Sequence, residues 1–546
     1  MKKILALLLT MVFTLAIFAS CTPGGSTGVS YPGTPDADMI TVNIVSEPPQ
    51  MFSVMTTDQT SGNVLRQIME GILMHDQNNN VVPGIAESWE YDEDTLTYTF
   101  HLREDAVWAN GEPVTAHDFV FAWRLLVTPE TAAQYATMGY IFQNGQAIHE
   151  GRMAPEALGV EAVDDLTLIV KLEKFVPYVL DQLTFYSYLP VNEEFYNTTV
   201  AADGTVFYGT DADKILCNGP FVLTEWAHED YIMIEKNEAY YDADSIMLPK
   251  AKLVMVGDMN TASNMFSAGE LDVFLINAAL IEKFKGEEYP VISYNTGASW
   301  YFEFNVTVPG LNNVKVRQAL TIGVDVDSFI ANIRRNGASS ATGFTPPIGV
   351  AGLDNVDFRT EAGALVTRDL EGAKALLEEG LAEEGIALED FTFSIICDDT
   401  DTAQSYAAFW QEQWRVNLGI EVTINAMPFA SRLDAMETHN FDVVQAGWAP
   451  DYNDPNTFLD LWTSCNPNNH TQYANPEYDA LIEAAALELD PEARLAILVE
   501  AEEMIIRDMP IGPLYFDARD YVVSEKVDGV VRMVLQDLNL RWVSIV

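Results

Sequence analysis

Apolar positions recur along the chain with two different spacings, one typical of strands and one typical of helices. Residues 96–105 (LTYTFHLRED) and 164–174 (DDLTLIVKLEK) alternate apolar and polar side chains, which predicts two half-buried strands. Residues 115–127 (TAHDFVFAWRLLV) have helical spacing and begin with Thr115, a residue type that caps helix N-termini. Residues 63–76 (NVLRQIMEGILMHD) share that spacing and predict a second helix.

The later part of the chain repeats the order strand, helix, glycine, strand. Residues 391–399 (FTFSIICDD) predict a strand, and residues 402–419 (TAQSYAAFWQEQWRVNLG) predict a helix that ends at its glycine. Residues 420–427 (IEVTINAM) predict the next strand, so this stretch is typical of a parallel βαβ unit. Residues 476–508 predict a helical hairpin that bends at Pro491. The expected fold class is therefore mixed α/β.

The first 20 residues form a separate kind of segment, predicted to be a lipoprotein signal peptide. A basic start (MKK) precedes the apolar run ILALLLTMVFTLAIF, which is short for a membrane span. Cys21 follows Ala19 and Ser20 and resembles the lipidation site of bacterial lipoproteins; an ordinary signal peptide with an unmodified cysteine is the alternative. Residues 21–39 are rich in Gly, Pro, Ser and Thr and predict a flexible linker.

Lipidation would fix where the protein works. Acyl chains on Cys21 bury their methylene groups in a bilayer and would hold the protein at the cell membrane. The expected location is extracytoplasmic, on the outer face of the membrane or on its periplasmic side.

The composition allows several domains and argues against some partners. The chain has 546 residues, 48% of them hydrophobic, which predicts about two to four domains with sizeable cores. Its 81 acidic and 29 basic residues give a net charge of −52. Such a chain repels nucleic acid, so no nucleic-acid partner is expected. The acidity either favours cationic ligands or keeps an exported protein soluble.

Residue patterns of enzymes and metal sites give no support for catalysis. Neither H-E-x-x-H nor G-x-x-x-x-G-K occurs, and the seven histidines are scattered, so no catalytic residue, cofactor or metal is predicted. Two acids that meet only in space, as in glycosidases, are the alternative. Cys217, Cys397 and Cys465 form no C-x-x-C pair, which argues against a thiolate zinc site and leaves a Cys397–Cys465 disulfide open.

Three longer stretches carry a resemblance to a known family. They are AESWEYDEDTLTYTFHLREDAVWANGEPVTAHDFVFAW (86–123), CNGPFVLTEW (217–226) and FDVVQAGWAPDYNDPNTFLD (441–460). In this order they resemble the dipeptide/oligopeptide solute-binding proteins of ABC importers, the peptide-binding type of bacterial extracellular solute-binding protein family 5. The resemblance covers essentially the whole chain after the signal peptide.

The resemblance implies an α/β, two-lobed periplasmic-binding-protein fold of the class II type, with an extra domain on the first lobe. The first lobe would hold residues 40–70, 186–304 and 512–546, the extra domain residues 71–185, and the second lobe residues 305–511. Because the chain would cross between the lobes twice, closure about a hinge is expected.

The resemblance also implies a binding residue in GWAPDYNDPNTFLD (447–460). Asp451 matches the aspartate that meets the free α-amine of the peptide in peptide-binding members. The physical reason is that an enclosed ammonium loses its water, and charge-assisted hydrogen bonds to a carboxylate replace that hydration. The alternative is that Asp451 only opens the turn before Pro455. Trp448 and Tyr452 are expected to be walls of the ligand cleft.

Other positions refine the expected ligand. Phe429 stands where oligopeptide-binding members often carry a tryptophan near the pocket, and Thr57, in SVMTTD (53–58), is similar in position to a stretch that borders the ligand. Met436 and Gln445 stand where enteric members have arginines for the ligand's C-terminal carboxylate. Because both residues are uncharged, longer peptides or ligands without a carboxylate there are expected.

The function implied is that of an extracytoplasmic substrate-binding lipoprotein, monomeric and not an enzyme, that captures peptides and delivers them to the permease subunits of an ABC importer. One alternative keeps the fold and changes the ligand to a nickel chelate, an oligosaccharide or an opine-like compound. Another is a surface receptor that is not coupled to transport.

Overall fold

The computed structural model describes residues 38–286, 289, 291–466, 468–532, 534 and 538–546. The predicted signal peptide, Cys21 and residues 21–37 of the predicted linker lie outside this range. Among the helices of the described part, none is both long and apolar enough to cross a bilayer.

The helices have the following bounds: Gln59–Ile68, Ala116–Val127, Gly145–His149, Val179–Gln182, Glu193–Thr198, Met259–Ser267, Ala278–Gly286, Val314–Ile322, Val326–Phe329, Phe358–Ala362, Ala373–Glu383, Asp401–Asn417, Phe429–Glu437, Asn456–Leu459, Pro476–Leu487 and Pro491–Asp508. The capped helix after Thr115, the βαβ helix and the helical hairpin at Pro491 are therefore confirmed. The βαβ strands Phe393–Asp398 and Val422–Met427 pair in parallel, as that unit requires.

A large mixed sheet organises most of the chain around one long antiparallel strand pair, Val291–Phe304 with Ile511–Val523. The first strand group lies on one side of this pair, in the order Val273–Ile276, Met39–Asn43, Lys250–Val254, Tyr231–Lys236, Phe221–Ala227. The second strand group lies on the other side, in the order Val443–Trp448, Phe393–Asp398, Val422–Met427. The short strand Ser339–Ser340 also pairs with Ile511–Val523.

Each strand of the long pair bonds to a different group. Strand Val291–Phe304 contacts the second strand group only through Ser299–Phe304, whereas the first group is reached through the end of the partner strand, where Phe274 pairs with Val522. Between Asn295 and Ser299 the register of the pair shifts. Such an irregularity removes ladder hydrogen bonds and bends the strand locally.

The buried apolar clusters divide at the same place. Two clusters draw their buried residues from 40–284 and 521–543, and two others draw theirs from 301–515. Each half of the sheet thus has cores of its own, which is the arrangement expected of two bodies that move relative to each other.

Within residues 71–185 the chain forms a four-stranded antiparallel sheet in the order Ala86–Asp92, Thr97–Leu102, Thr167–Lys171, Val160–Asp164. Two of these strands are the alternating segments predicted from the sequence. The sheet is packed against Ala116–Val127, whose N-terminus carries a capping box between Thr115 and Asp118. Short two-stranded pairs complete the fold: Leu73–His75 with Val81–Pro83, Gly349–Val350 with Leu353–Asp357, and Val527–Asp528 with Ser544–Ile545.

The helix predicted over residues 63–76 is correct only in its first part. It ends at Ile68, and residues 73–75 form a strand instead. The carbonyl oxygens of Gly71 and Ile72 accept hydrogen bonds from the N–H groups of Ile85 and Ala86 at 3.0 Å. This pairing needs an extended backbone, so it overrides the helical spacing of the apolar residues.

Candidate functional site

Asp451 lies just after the strand Val443–Trp448, in the loop that leads to the helix Asn456–Leu459. Its backbone N–H donates to Thr457 Oγ1 at 3.0 Å, so the loop is closed across its own base. The half-buried side chain lines a partly open space of about 510 Å³, here called the Asp451 cavity.

A different acid anchors this loop. The carboxylate of Asp454 forms two hydrogen bonds with the guanidinium of Arg494, at 2.7 and 2.8 Å, and both side chains are fully buried. Asp454 also accepts from the N–H groups of Asn456 and Ala351, each at 3.0 Å. Because Asp454 holds the turn, Asp451 is free to face the cavity.

Two carboxyl groups, those of Asp451 and Asp460, line the Asp451 cavity. Burial raises the pKa of Asp451 to about 7. Asp460 lines the same cavity, and burial together with the charges of Asp451 and Asp454 raises its pKa to about 7 as well. None of the described residues that line the cavity is Lys, Arg or His. A carboxylate that has lost part of its hydration and has no countercharge is in an unfavourable environment, which a cationic ligand would relieve.

Aromatic rings form much of the wall. Tyr452 is buried and stacks on Tyr178, with ring centroids 4.3 Å apart and an interplanar angle of 7°. Tyr135 also lines the cavity, and burial and the charge of Asp451 both raise the pKa of its hydroxyl. Trp448 completes this side of the wall. Trp448, Asp451 and Tyr452 thus line one cavity, and the role of Trp448 and Tyr452 as walls of a ligand cleft stays a prediction.

The walls come from distant parts of the chain. Tyr178 belongs to the segment 71–185, whereas Tyr452 belongs to the segment 305–511. A hydrogen bond joins the same two segments, because the N–H of Asn453 donates to Asp181 Oδ1 at 2.7 Å. The cavity therefore exists only when these two segments are in contact.

A second space of about 600 Å³ adjoins the first at Trp448, which lines both; it is here called the Arg432 cavity. Met436 and Gln445 line it, as do the aromatic residues Trp300 and Tyr406. Gln445 Oε1 accepts a hydrogen bond from Trp410 Nε1 at 2.9 Å, which fixes its amide against the helix Asp401–Asn417.

Two arginines in the Arg432 cavity were not indicated by any sequence motif. Arg432 Nε lies 2.6 Å from Asp398 Oδ1, and Arg334 is paired with Asp517. Arg432 lies one helical turn before Met436, so the spacing places the two on one face. The i, i+4 spacing from Met436 is the only feature of the sequence that places Arg432 near the predicted site. No feature of the sequence places Arg334 there.

The remaining candidates lie elsewhere or cannot be described. Thr57 is exposed, next to Asp58 at the start of the helix Gln59–Ile68, and it is not among the described residues that line either cavity. The helix Phe429–Glu437 begins at Phe429, whose side chain lies outside the described part of the structure.

The described cysteines form no disulfide, and the described side chains form no metal site. Cys217, Cys397 and Cys465 are free thiols, so the disulfide left open by the sequence is not formed. Across the described ranges, no group of three or more His, Cys, Asp or Glu side chains is suited to hold a metal ion.

A sheet of two strand groups, each with its own cores and joined by one strand pair, together with a ligand-sized cavity, defines a two-lobed binding protein. Residues 80–470 match the bacterial extracellular solute-binding proteins, family 5 (middle region), and the chain belongs to this family. The predicted α/β, two-lobed fold and the predicted family are both confirmed.

Relatives span nearly the whole chain. The dipeptide-binding protein DppE of Bacillus subtilis (strain 168) is 34% identical over 504 residues, which cover 92% of this chain and 91% of that protein. The oligopeptide-binding protein OppA of the same strain is 32% identical over 537 residues, 96% of each chain.

Solved structures agree with the fold. Listeria monocytogenes OppA bound to peptide superposes with a TM-score of 0.79 and 29% identity, covering 93% of this chain and 99% of that one. Haemophilus influenzae OppA in complex with RPPGFSPFR gives a TM-score of 0.78 and 29% identity over the same shares.

Proposed function

We propose that this protein captures peptides that have a free N-terminal amine and delivers them to the permease subunits of an ABC importer. The relatives are dipeptide- and oligopeptide-binding proteins, and the similar solved structures include peptide complexes. The proposal rests on one observation: the carboxyl group of Asp451 lines a ligand-sized cavity, and none of the described lining residues is Lys, Arg or His.

A peptide amine suits this carboxylate because each group removes the desolvation penalty of the other. Charge-assisted hydrogen bonds are roughly twice as strong as neutral ones. The aromatic faces of Tyr135 and Trp448 add favourable contact for a cation within about 6 Å of the ring centroid. Removing one partner of such a buried pair costs about 3–5 kcal/mol.

The residues after the first would extend into the Arg432 cavity, which adjoins at Trp448. Met436 and Gln445 offer this part of the ligand no charge, whereas Arg334 and Arg432 are already paired with Asp517 and Asp398. Such a pocket holds side chains without demanding one sequence. Phe429 and Thr57 keep their predicted roles as ligand-bordering residues.

The same proposal includes the domain organisation. The first lobe is residues 40–70, 186–304 and 512–546, residues 71–185 form the extra domain, and residues 305–511 form the second lobe. Ligand favours closure only through its extra affinity for the closed form. Peptide contacts with Asp451 and with the wall at Tyr178 and Tyr135 provide that extra affinity, because these residues come from different segments.

Membrane attachment and a monomeric state belong to the same proposal. Cys21 carries the lipid anchor, which keeps the protein extracytoplasmic and close to its importer. The protein acts as a monomer, binds without a cofactor and is not an enzyme; membership of a solute-binding family supports the last point.

Mass spectrometry of small molecules released from natively purified protein tests the proposal directly, and peptides are the expected ligands. A library of di- to hexapeptides should raise the melting temperature of ligand-free protein by mass action. Acetylation of the amine of each hit should abolish that rise. An acetylated peptide that binds as well as its parent would overturn the role of Asp451, and the absence of any peptide ligand would overturn the function.

A further inference from the structure

We infer that the Asp451 cavity holds two positive charges, so that the preferred peptides begin with a basic residue. This inference rests on the proposed function and names the ligand class of the same site. The α-amine would face Asp451, and the ammonium or guanidinium of the first side chain would face Asp460.

Asp460 is placed for this role by a short helix. It directly follows the helix Asn456–Leu459, and its half-buried carboxylate lines the Asp451 cavity. Within the loop its carboxylate accepts a long, weak hydrogen bond from Asn456 Nδ2, at 3.3 Å from Oδ2. Asp460 therefore retains capacity to accept from a ligand.

A third acceptor stands at the same wall. Gln182 is only 4% exposed, and its Nε2 donates to the hydroxyl oxygen of Tyr188 at 2.9 Å. That hydroxyl donates in turn to the carbonyl oxygen of Met138 at 2.8 Å, so it must accept from Gln182, which fixes the orientation of the amide. Gln182 Oε1 is left without a partner among the described residues. A buried acceptor of this kind calls for a donor.

The rest of the cavity suits a basic side chain. Leu461, Met138 and Ile482 line it and can pack against the methylene stem of a lysine or arginine. Tyr135, Tyr178 and Trp448 present aromatic faces, which attract cations. Lys174 lies close enough to lower the pKa of Asp460, yet it is not among the described residues that line the cavity.

Charge balance decides between one and two cations. A ligand with a single amine neutralises one carboxylate and leaves the other enclosed, so that the second must stay protonated to avoid a buried, unpaired charge. A ligand with two cations allows both carboxylates to ionise. Because burial raises the pKa of both acids to about 7, each is partly protonated at neutral pH and can release its proton on binding.

Calorimetry with matched peptides tests the inference. The probes are peptides of three to six residues with lysine or norleucine first and alanine elsewhere, measured at pH 7 in buffers of different ionisation enthalpy. We expect lysine-first peptides to bind about tenfold tighter or more, the size of effect expected for one charged hydrogen bond. They should also release more protons than norleucine-first peptides.

Two variants test whether Asp460 causes the preference for lysine-first peptides. Asp460→Asn should bring the two peptide series to similar affinity and remove the extra proton release, whereas Glu483→Gln, which neutralises an exposed acid on the helix Pro476–Leu487, should keep the preference of the parent. Should Asp460→Asn fail to fold, the comparison of proton release in the parent protein decides alone.

The outcomes separate the two levels of the proposal. Equal affinities and equal proton release for both series in the parent would overturn the two-cation site and leave peptide binding intact. If neither series bound, the proposed function would fall, and the inference with it.

Discussion

Arg494 and Asp454 form a buried two-point ion pair directly beside the loop that carries Asp451. The anchor of the loop and the residue that faces the ligand are thus different acids three positions apart. Asp454, whose charge is compensated by Arg494, fixes the conformation of the loop. The loop can therefore hold the carboxyl group of Asp451 in the cavity without a partner of its own.

Breaking that pair should destabilise the fold and disorder the site. We expect Asp454→Ala to lower the free energy of unfolding by about 3–5 kcal/mol, because it leaves the guanidinium of Arg494 buried without a partner. Urea denaturation measures the change. The double variant Asp454→Ala/Arg494→Leu should recover part of the loss, since it removes the orphaned charge. A loss below about 1 kcal/mol for Asp454→Ala would mean that the pair does not hold the loop.

Replacing Asp451, which faces the cavity, should raise the stability of the fold instead of lowering it. The pKa of Asp451 is raised from 3.8 to about 7, so this group favours the folded state at low pH, and that contribution is lost as pH rises through about 7. We expect Asp451→Asn to raise the stability of ligand-free protein at pH 8 by roughly 1–4 kcal/mol and to leave it nearly unchanged at pH 4. Peptide binding should be lost.

Thermal unfolding of parent and Asp451→Asn at the two pH values provides the measurement, with Glu483→Gln as the surface control. A variant that is destabilised equally at both pH values would show that Asp451 makes a structural contact instead of facing an uncompensated cavity.

Peptide affinity should depend on pH in the range where these acids titrate. Binding an ammonium requires ionised Asp451, so affinity should fall as pH is lowered from 8 to 5.5, approaching about tenfold per pH unit below the pKa of about 7. Titration calorimetry with one peptide across this range tests the point. A flat profile would contradict an ammonium–carboxylate contact.

The stacked pair Tyr178–Tyr452 should contribute to closure. Tyr178→Leu removes the stack and the hydrogen bond that Asn456 Nδ2 donates to the Tyr178 hydroxyl at 3.0 Å, whereas Tyr178→Phe removes only the latter. We expect the leucine variant to weaken peptide binding by about 0.5–1.5 kcal/mol beyond the phenylalanine variant, the range measured for aromatic pairs. Equal affinities would show that the stack does not favour the closed form.

The sequence predicts the architecture better than the site. Alternation at Thr97–Leu102 and the capped helix after Thr115 are local patterns, and both are correct because their packing agrees with their periodicity. The helix predicted over 63–76 fails after Ile68, since pairing with Ile85 and Ala86 draws residues 71–75 into an extended form. Nothing local in the sequence signals that partner.

For the site, the motif at 447–460 locates Asp451 through resemblance, but it does not reveal that Asp454 anchors the loop. Asp460 lies within the same motif, and from the sequence it is indistinguishable from an acidic residue at the end of a helix. That Asp460 lines a cavity is visible only in the structure, because Tyr178 and Gln182, hundreds of residues earlier in the chain, complete the wall. Arg334 is missed for the same reason, because its partner Asp517 is distant in sequence.

The register shift between Asn295 and Ser299 has a mechanical consequence. The strands Val291–Phe304 and Ile511–Val523 both run from one half of the sheet to the other. The two halves can therefore move apart only if this strand pair bends or twists. The torsion concentrates where the ladder lacks hydrogen bonds. Bending of the strand pair at this position is therefore the expected route by which the two halves of the sheet change their relative orientation.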